Sequence, residues 1–275
     1  YYELVDKRTE LWRSEQNLKG TVDKLEEEIK SLNHKNYQTL DRSTALGLEN
    51  LPIVVKELGF DNQKVFGLVG NLVHYSNKYK QSLESVAGVS LFNVVVDTDT
   101  TASEIMAHMQ KNKLGRLSFI PLNRMKNSNS IGYPPESVGA YVPLIKKLKY
   151  ESYLEPCMKL LFGKSLVVKN LETGSILAKQ YGFSAVTPDG DRVDSTGAIT
   201  GGFSNISQKS VRLDTLKAIV SMKEELTKSS EELQVIESEI KSLDDSSIQS
   251  DIEIQQIIAD VRLQKQLLKK LQETH

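Results

Sequence analysis

The sequence has few of the residues that build disulfide-bonded, metal-binding or membrane proteins. Its 275 residues contain one cysteine, Cys157, which excludes an internal disulfide framework and a zinc site made of several cysteines. No run of about 18 apolar residues is present, so we expect neither a membrane-spanning helix nor a membrane partner. The four histidines are scattered, and none lies at the spacing of a metal-ligand pair. A lone cysteine is typical of a reducing compartment such as the cytosol or nucleus.

An excess of charge of either sign is also lacking. The chain has 35 basic and 36 acidic side chains and a net charge of −1, which argues against a protein that coats nucleic acid through overall positive charge. The chain begins at Tyr1 without a start methionine, and no signal peptide is visible. We therefore expect it to be an internal part of a longer protein.

Three motifs that would indicate a ligand or a reaction are incomplete. Residues Phe162–Ser165 resemble the end of a phosphate-binding loop, but Met158 occupies the position that requires the first glycine. Residues 189–194 begin like a calcium-binding loop, yet Asp194 replaces the glycine at its sixth position. The serine that follows Gly88 and Val89 has no glycine two residues later, so no nucleophile elbow is formed. We therefore predict no catalytic residue, no metal site and no cofactor in this segment.

Glycine and proline divide the chain into three segments. All seven prolines lie in the middle of the chain, and Gly20 is the only one of 16 glycines outside it. The middle has a net charge of +3, whereas the first and last segments have −1 and −3. We therefore predict a globular domain at residues 45–205 between two arms, residues 1–44 and 206–275.

Both arms carry heptad repeats. Leucines recur every seven residues in the first arm, at Leu4, Leu11, Leu18, Leu25 and Leu32. Apolar residues occupy most a and d positions of the last arm, at Ile219, Met222, Leu226, Leu233, Ile236, Ile240, Leu243, Ile254, Ile257, Val261, Leu268 and Leu271. Sustained heptads indicate a coiled coil, and pairing the two arms in antiparallel orientation buries both seams. The alternative is two separate amphipathic helices that pack on the globular domain.

The globular segment contains one pattern twice. Gly88–Leu91 and Gly163–Leu166 each precede a β-branched run, a helical stretch, a glycine and a second short strand. This pattern predicts two related strand–helix–strand units. Between them, residues 127–139 are mostly Asn, Ser, Gly and Pro, which indicates a linker. We predict lobe one at about 65–126 and lobe two at about 140–205; chance similarity within an α/β pattern is the alternative.

A second cluster of glycines surrounds a short β-type run. Gly197, Gly201 and Gly202 flank residues 198–200, and Phe203 follows. Glycine within a strand marks a bulge or the close approach of another backbone. One interpretation is an edge strand that pairs with another subunit, and the other is a tight turn within one chain.

Residues 65–205 resemble the hinge domain of structural-maintenance-of-chromosomes (SMC) proteins. The resemblance depends on Ser90–Asp97, Phe119–Arg124, Pro143–Tyr150, Phe162–Lys164, Asp189–Asp191 and Ile199–Phe203 with the following Arg212 and Leu213. Within the family these segments are most similar to the third SMC subunit of cohesin, in a fungal form. The resemblance implies an α+β two-lobed SMC hinge carried on an intramolecular antiparallel coiled coil.

The resemblance also implies a function and a partner. The domain would be a non-catalytic heterodimerisation module that binds the hinge of the first cohesin SMC subunit and closes the ring that holds sister chromatids. The complete protein would be an ATPase in the nucleus, with ATP and magnesium at heads outside this segment. The implied interface residues are Gly88, Asp99, Met106, Gly197, Ile199, Thr200, Gly201, Gly202 and Phe203.

Weak contact with DNA is a further implication of the resemblance. The candidate contacts are Arg116, Arg124, Lys126, Lys146, Lys147, Lys149 and Lys164. Because phosphate contacts need only positive charge and reach, a domain of +3 is expected to bind weakly and in a salt-dependent manner. Other cohesin subunits or a loader are additional candidate partners.

Other functions stay open at this point. Within the family, the hinge could form a homodimer, as in prokaryotic relatives, or belong to condensin. In another class, it could be an enzyme domain on a coiled-coil stalk, which saturable ATP binding by the isolated chain would reveal. A zinc hook is excluded because it requires paired cysteines and the chain has only one.

Overall fold

The computed structural model describes residues 2–125, 131–202 and 211–273, in two compact units. One unit contains residues 1–30 and 221–275, and the other contains residues 31–220. In the described residues the helices are α1 (Tyr2–Tyr37), α2 (Arg42–Glu57), α3 (Val69–Leu72), α4 (Lys80–Ala87), α5 (Asp99–Asn112), α6 (Glu155–Phe162), α7 (Leu171–Tyr181) and α8 (Val211–Glu273). The strands are β1 (Val65–Leu68), β2 (His74–Tyr75), β3 (Val94–Val96), β4 (Phe119–Pro121), β5 (Tyr141–Pro143), β6 (Leu148–Lys149), β7 (Ser165–Val168), β8 (Ser184–Val186), β9 (Arg192–Val193) and β10 (Ile199–Thr200).

The unit of residues 1–30 and 221–275 is an antiparallel coiled coil, as predicted. Arg8 forms an ion pair with Asp244, and Lys19 forms one with Glu237, so α8 runs opposite to α1. The predicted seam is the covered side of both helices; its buried or half-buried members are Leu11, Glu15, Leu18, Val22, Leu25, Ile29, Met222, Leu226, Ser229, Leu233, Ile236, Ile240, Leu243 and Ser247. Burial therefore follows the 3.5-residue period of the heptads.

The covered seam is shorter than the heptad pattern predicted. Leu4, Ile254, Ile257 and Val261 occupy core positions of the repeat, yet each is exposed. These residues lie at the outer ends of the two helices, before Leu11 in α1 and after Ser247 in α8. Within the described chain, no part of α1 covers α8 beyond Ser247.

The first sheet of the other unit has the order β1-β3-β4. Strand β3 is completely buried, antiparallel to β1 and parallel to β4. Helix α5 connects the two parallel strands; it begins where the Thr98 side chain accepts a hydrogen bond from the Thr101 N–H, and it ends at Lys113 with φ of 56°. This is a strand–helix–strand unit.

The second sheet repeats that arrangement and has the order β10-β9-β8-β7-β5. Strands β7 and β8 are parallel, and α7 connects them. The Asn170 side chain accepts from the Thr173 N–H at the start of α7, and Gly182 ends it with φ of 66°. The same succession of strand, side-chain cap, helix and left-handed residue therefore occurs in both units, which confirms the predicted repeat.

The two strand–helix–strand units contribute to one hydrophobic core. Leu91 and Val95 belong to the same cluster of buried residues as Met158, Val167 and Val186. Burial raises the pKa of the Cys157 thiol to about 11, so this side chain packs as a small apolar group. Among the residues that the structure describes, no helix combines the length and the apolar character needed to cross a membrane.

Candidate dimerisation interface

Strand β10 lies at the end of the second sheet and exposes one edge. Among the described residues it pairs only with β9, through Ile199 opposite Val193 and Thr200 opposite Arg192. Both of its residues are exposed, and the Ile199 side chain is 63% accessible. An edge strand with free N–H and C=O groups can accept a strand from another chain. In the described part of the molecule, this edge combines unpaired backbone with an exposed branched apolar side chain.

The glycines beside β10 have different roles. Gly197 has φ of 90° and its N–H donates to the Asp194 carbonyl at 2.7 Å, so it forms the turn between β9 and β10. At Gly201, a Cβ atom would lie 2.8 Å from an Asp191 carboxylate oxygen. That carboxylate also accepts a hydrogen bond from the Gly202 N–H at 3.2 Å. The turn within the chain is therefore formed, and the outer edge of β10 is still exposed.

Gly88 defines a second candidate surface at the end of α4. Its φ of 52° lies in the region that favours glycine, and its N–H donates to the Glu84 carbonyl. The turn that follows exposes Val89, whose side chain is 61% accessible. A positive φ here therefore ends the helix and presents an apolar side chain to solvent.

The two predicted interface residues of α5, Asp99 and Met106, are in unlike surroundings. Ala102, Ile105 and Met109 are buried against the first sheet, whereas Met106 is 45% accessible. Met106 therefore lies beside this buried face of α5 and is exposed to solvent.

Asp99, also on α5, is bound within the chain. Its carboxylate accepts hydrogen bonds from the Asn123 amide at 2.7 Å and from Arg124. These hydrogen bonds and the Arg124 charge lower the pKa of Asp99. The structure thus joins a predicted interface residue to a predicted DNA contact, because the guanidinium of Arg124 forms an ion pair with Asp99.

The other candidate DNA contacts are exposed and lie on separate segments. Lys146, Lys147 and Lys149 lie between the end of β5 and the end of β6. The Lys146 ammonium lies 5.7 Å from the centre of the Tyr133 ring. Arg116 and Lys164 are exposed after α5 and before β7, respectively. The predicted residues Lys126 and Phe203 lie outside the described residues.

Asp191 positions the glycine segment, a role that no sequence motif predicted. It belongs to the acidic run Asp189–Asp194, which was the available signal. In the described residues, no group of three or more His, Cys, Asp or Glu side chains is placed to hold a metal ion.

Comparison with known proteins identifies a family and a fold that this chain resembles. Residues 62–178 match the family model described as the SMC proteins Flexible Hinge Domain. Structural maintenance of chromosomes protein 3 of Saccharomyces cerevisiae is 38% identical over 244 residues, which cover 88% of this chain and 20% of the yeast protein. Chromosome segregation protein sudA of Emericella nidulans is 32% identical over 86% of this chain and 19% of its own length. The chain thus spans about a fifth of these relatives.

The similarity to known proteins includes the three-dimensional structure. The structure described as the folded elbow of cohesin has a TM-score of 0.74 and 34% sequence identity. The match covers 89% of this chain and 35% of that one. It therefore includes most of both compact units.

Proposed function

Because this chain carries the hinge domain of an SMC protein, we propose that it is the heterodimerisation module of a cohesin SMC subunit. Its partner is the hinge of the first cohesin SMC subunit. The exposed edge of β10, with Ile199 63% accessible, is the observation that carries this proposal. An unpaired edge with a branched apolar side chain supplies both hydrogen bonds and apolar area to a partner strand.

The second surface of the proposed dimer is the turn at Gly88 and Val89, together with Met106. It differs in chemistry from β10: it presents a helix end and apolar side chains instead of a strand edge. Two unlike surfaces fit a head-to-tail arrangement, in which each surface meets its counterpart on the other subunit. The same geometry serves a two-fold homodimer, in which surface one of each chain meets surface two of the other, so the choice of a cohesin partner rests on the relatives.

The wider role follows from the relatives and is part of the same proposal. The complete protein is an ATPase whose ATP and magnesium bind at head domains outside this segment, and the hinge closes a ring around sister chromatids in the nucleus. The hinge itself contributes no catalytic residue. The family of the matching relatives and the name of the Emericella protein support this role.

Weak DNA binding is a second candidate function, and one observation favours it. Lys146, Lys147 and Lys149 are three exposed cations within four residues. Arg124 contributes less to this function, because its charge is paired with Asp99.

The dimerisation proposal is tested by solution mass. We expect light scattering to find a monomer of about 30.8 kDa for the chain alone and a one-to-one complex after the hinge of the first cohesin SMC subunit is added. A stable homodimer that ignores this partner would instead assign the chain to a homodimeric branch. Saturable ATP binding by the isolated chain would revive an enzymatic function.

A matched pair of variants tests which surface binds. Ile199→Asp places a charge where the partner would exclude water, so we expect the dissociation constant of the complex to rise by at least about 30-fold. Leu160→Asp is the control, because Leu160 is 67% accessible on α6 and lies outside both proposed surfaces. Equal binding by the two variants would remove β10 from the interface.

A further inference from the structure

The end of β8 and the start of β9 are joined by a turn that rests on α4. This turn, Thr187–Asp191, is held by its own backbone: the Thr187 N–H donates to the Asp191 carbonyl at 2.8 Å, and the Gly190 N–H donates to the Thr187 carbonyl at 3.0 Å. The Asp191 N–H also donates to the Thr187 hydroxyl at 3.1 Å. The turn is therefore one tightly hydrogen-bonded unit.

Two serines of α4 bind this turn. The Ser82 hydroxyl donates to the Thr187 carbonyl at 2.9 Å, in a buried position. The Ser85 hydroxyl donates to the Gly190 carbonyl at 2.7 Å. Gly190 has φ of 89°, and a Cβ atom there would lie 3.4 Å from the Gln81 carbonyl, so the turn and the helix lie in close contact. Partners 105 residues apart are thereby joined.

Arg192 adds a third connection. Its guanidinium donates to the Ser85 carbonyl at 2.7 Å and to the Asp194 carboxylate at 3.2 Å. Arg192 is also the residue of β9 that pairs with Thr200 of β10. Displacement of α4 would therefore be transmitted to the strand beside the exposed edge.

Both ends of this network reach a proposed dimerisation surface. At one end, α4 stops at Gly88 and exposes Val89. At the other end, the Asp191 carboxylate accepts from the Gly202 N–H and fills the space next to Gly201. Ser82 and Ser85 thus lie between the two surfaces.

We propose that the turn Thr187–Asp191 couples the two dimerisation surfaces, with Asp191 as the positioning residue for the glycine segment. This inference rests on the proposed function. A surface that is already ordered loses less conformational entropy on binding. Because α4 holds the turn in place, it keeps β10 ordered and favours binding there. Coupling is reciprocal, so a change at Asp191 also alters the order of the Gly88 turn.

Hydrogen exchange in the free chain measures the coupling directly. We expect the double variant Ser82→Ala/Ser85→Ala to increase the exchange rate of the Ile199–Gly202 amides by about 5-fold or more, the lower end of typical coupling. Asp191→Ala should in turn increase exchange at Val89 and Ser90. Ser175→Ala is the matched control, because its hydroxyl donates within α7 to the Leu171 carbonyl at 2.9 Å.

The dissociation constant of the complex with the first cohesin SMC subunit's hinge completes the test. The double serine variant should raise it by about 5-fold or more, and the Ser175→Ala control should not. Faster exchange limited to each variant's own surface would overturn the coupling. Wild-type chain that forms no complex would refute the proposed function, while the exchange experiment on the free chain would still decide the coupling.

Discussion

Glu84 is a buried carboxylate that holds the first turn of α8. One of its oxygens accepts a hydrogen bond from the Leu213 N–H at 2.7 Å, and the other is buried without a partner in the described structure. Burial raises the pKa of Glu84, while the Leu213 N–H and the charges of Lys80 and Arg212 oppose this rise. Asp214 adds to the rise. The residue therefore satisfies a free helix N–H group at the cost of burying a charge.

The raised pKa predicts a stability that falls as pH rises. Between the ordinary carboxyl pKa and the raised native value, the folded chain binds more protons at Glu84 than the unfolded chain does. We expect Glu84→Gln to remove this loss, so that its stability relative to wild type increases from about pH 4 towards neutrality. Urea unfolding followed by circular dichroism at several pH values measures the difference.

The amide of Glu84→Gln keeps an acceptor for Leu213, so the comparison isolates the charge. Glu151→Gln, at an exposed position, is the control. Its free energy of unfolding should change with pH as that of the wild type does. A constant difference between Glu84→Gln and wild type at all pH values would show that the carboxyl titrates alike in both states.

At the scale of elements, the pairing of α1 with α8 tolerates a polar core position. Glu15 occupies an a position and is half-buried. Lys19 reaches it at 2.6 Å and also reaches Glu237 at 3.2 Å. A charged pair that bridges to the facing helix lets this seam include a carboxylate, and such pairs favour one orientation and register.

Cysteine pairs test the register of α1 and α8. Arg8→Cys with Asp244→Cys should form an intrachain link with a reagent of about 10 Å span, because these side chains form an ion pair. Arg8→Cys with Ile258→Cys should not, since 14 further residues displace the second cysteine by about 21 Å. Electrophoretic mobility identifies the linked chain. The raised pKa of the buried Cys157 keeps it protonated and unreactive.

Links between chains, or equal yields for the two cysteine pairs, would contradict the antiparallel register. The control position lies on the same heptad face as Asp244, two heptads further along α8. The control position therefore differs from Asp244 only in its distance along the helix axis.

At the scale of the whole molecule, the distribution of charge disfavours strong binding to DNA. The net charge is −1, and the arms are negative while the globular segment is +3. The proposed DNA contact therefore depends on local charge, and Lys146, Lys147 and Lys149 are three exposed cations within four residues. A local cluster contacts few phosphates and releases few counterions on binding. The affinity for DNA should therefore fall only moderately as the salt concentration rises.

Charge reversal tests this cluster. The triple variant Lys146→Glu, Lys147→Glu and Lys149→Glu should weaken binding to duplex DNA and reduce the salt slope by about 3, at nearly one unit for each phosphate contact. Fluorescence anisotropy at several salt concentrations measures both quantities. The control reverses three exposed lysines of α8, at Lys223, Lys228 and Lys241. Because the net charge is equal in the two variants, identical binding would exclude a local site.

The elements and their repeat were predictable because their signals are local. Heptads recur along one helix, and burial on α1 and α8 follows them up to Ser247. Side-chain caps at Thr98 and Asn170 and glycine after α7 likewise act within a few residues.

The sequence by itself determined the two arms, the two strand–helix–strand units and the family, since each depends on the order of residues along the chain. Only the tertiary structure decided that Arg124 binds Asp99, that Met106 faces solvent and that Glu84 holds α8. It also decided that Ser82 and Ser85 bind the turn 105 residues away. Periodicity specifies which residues share a face, whereas contacts between distant segments arise only when packing has brought those faces together.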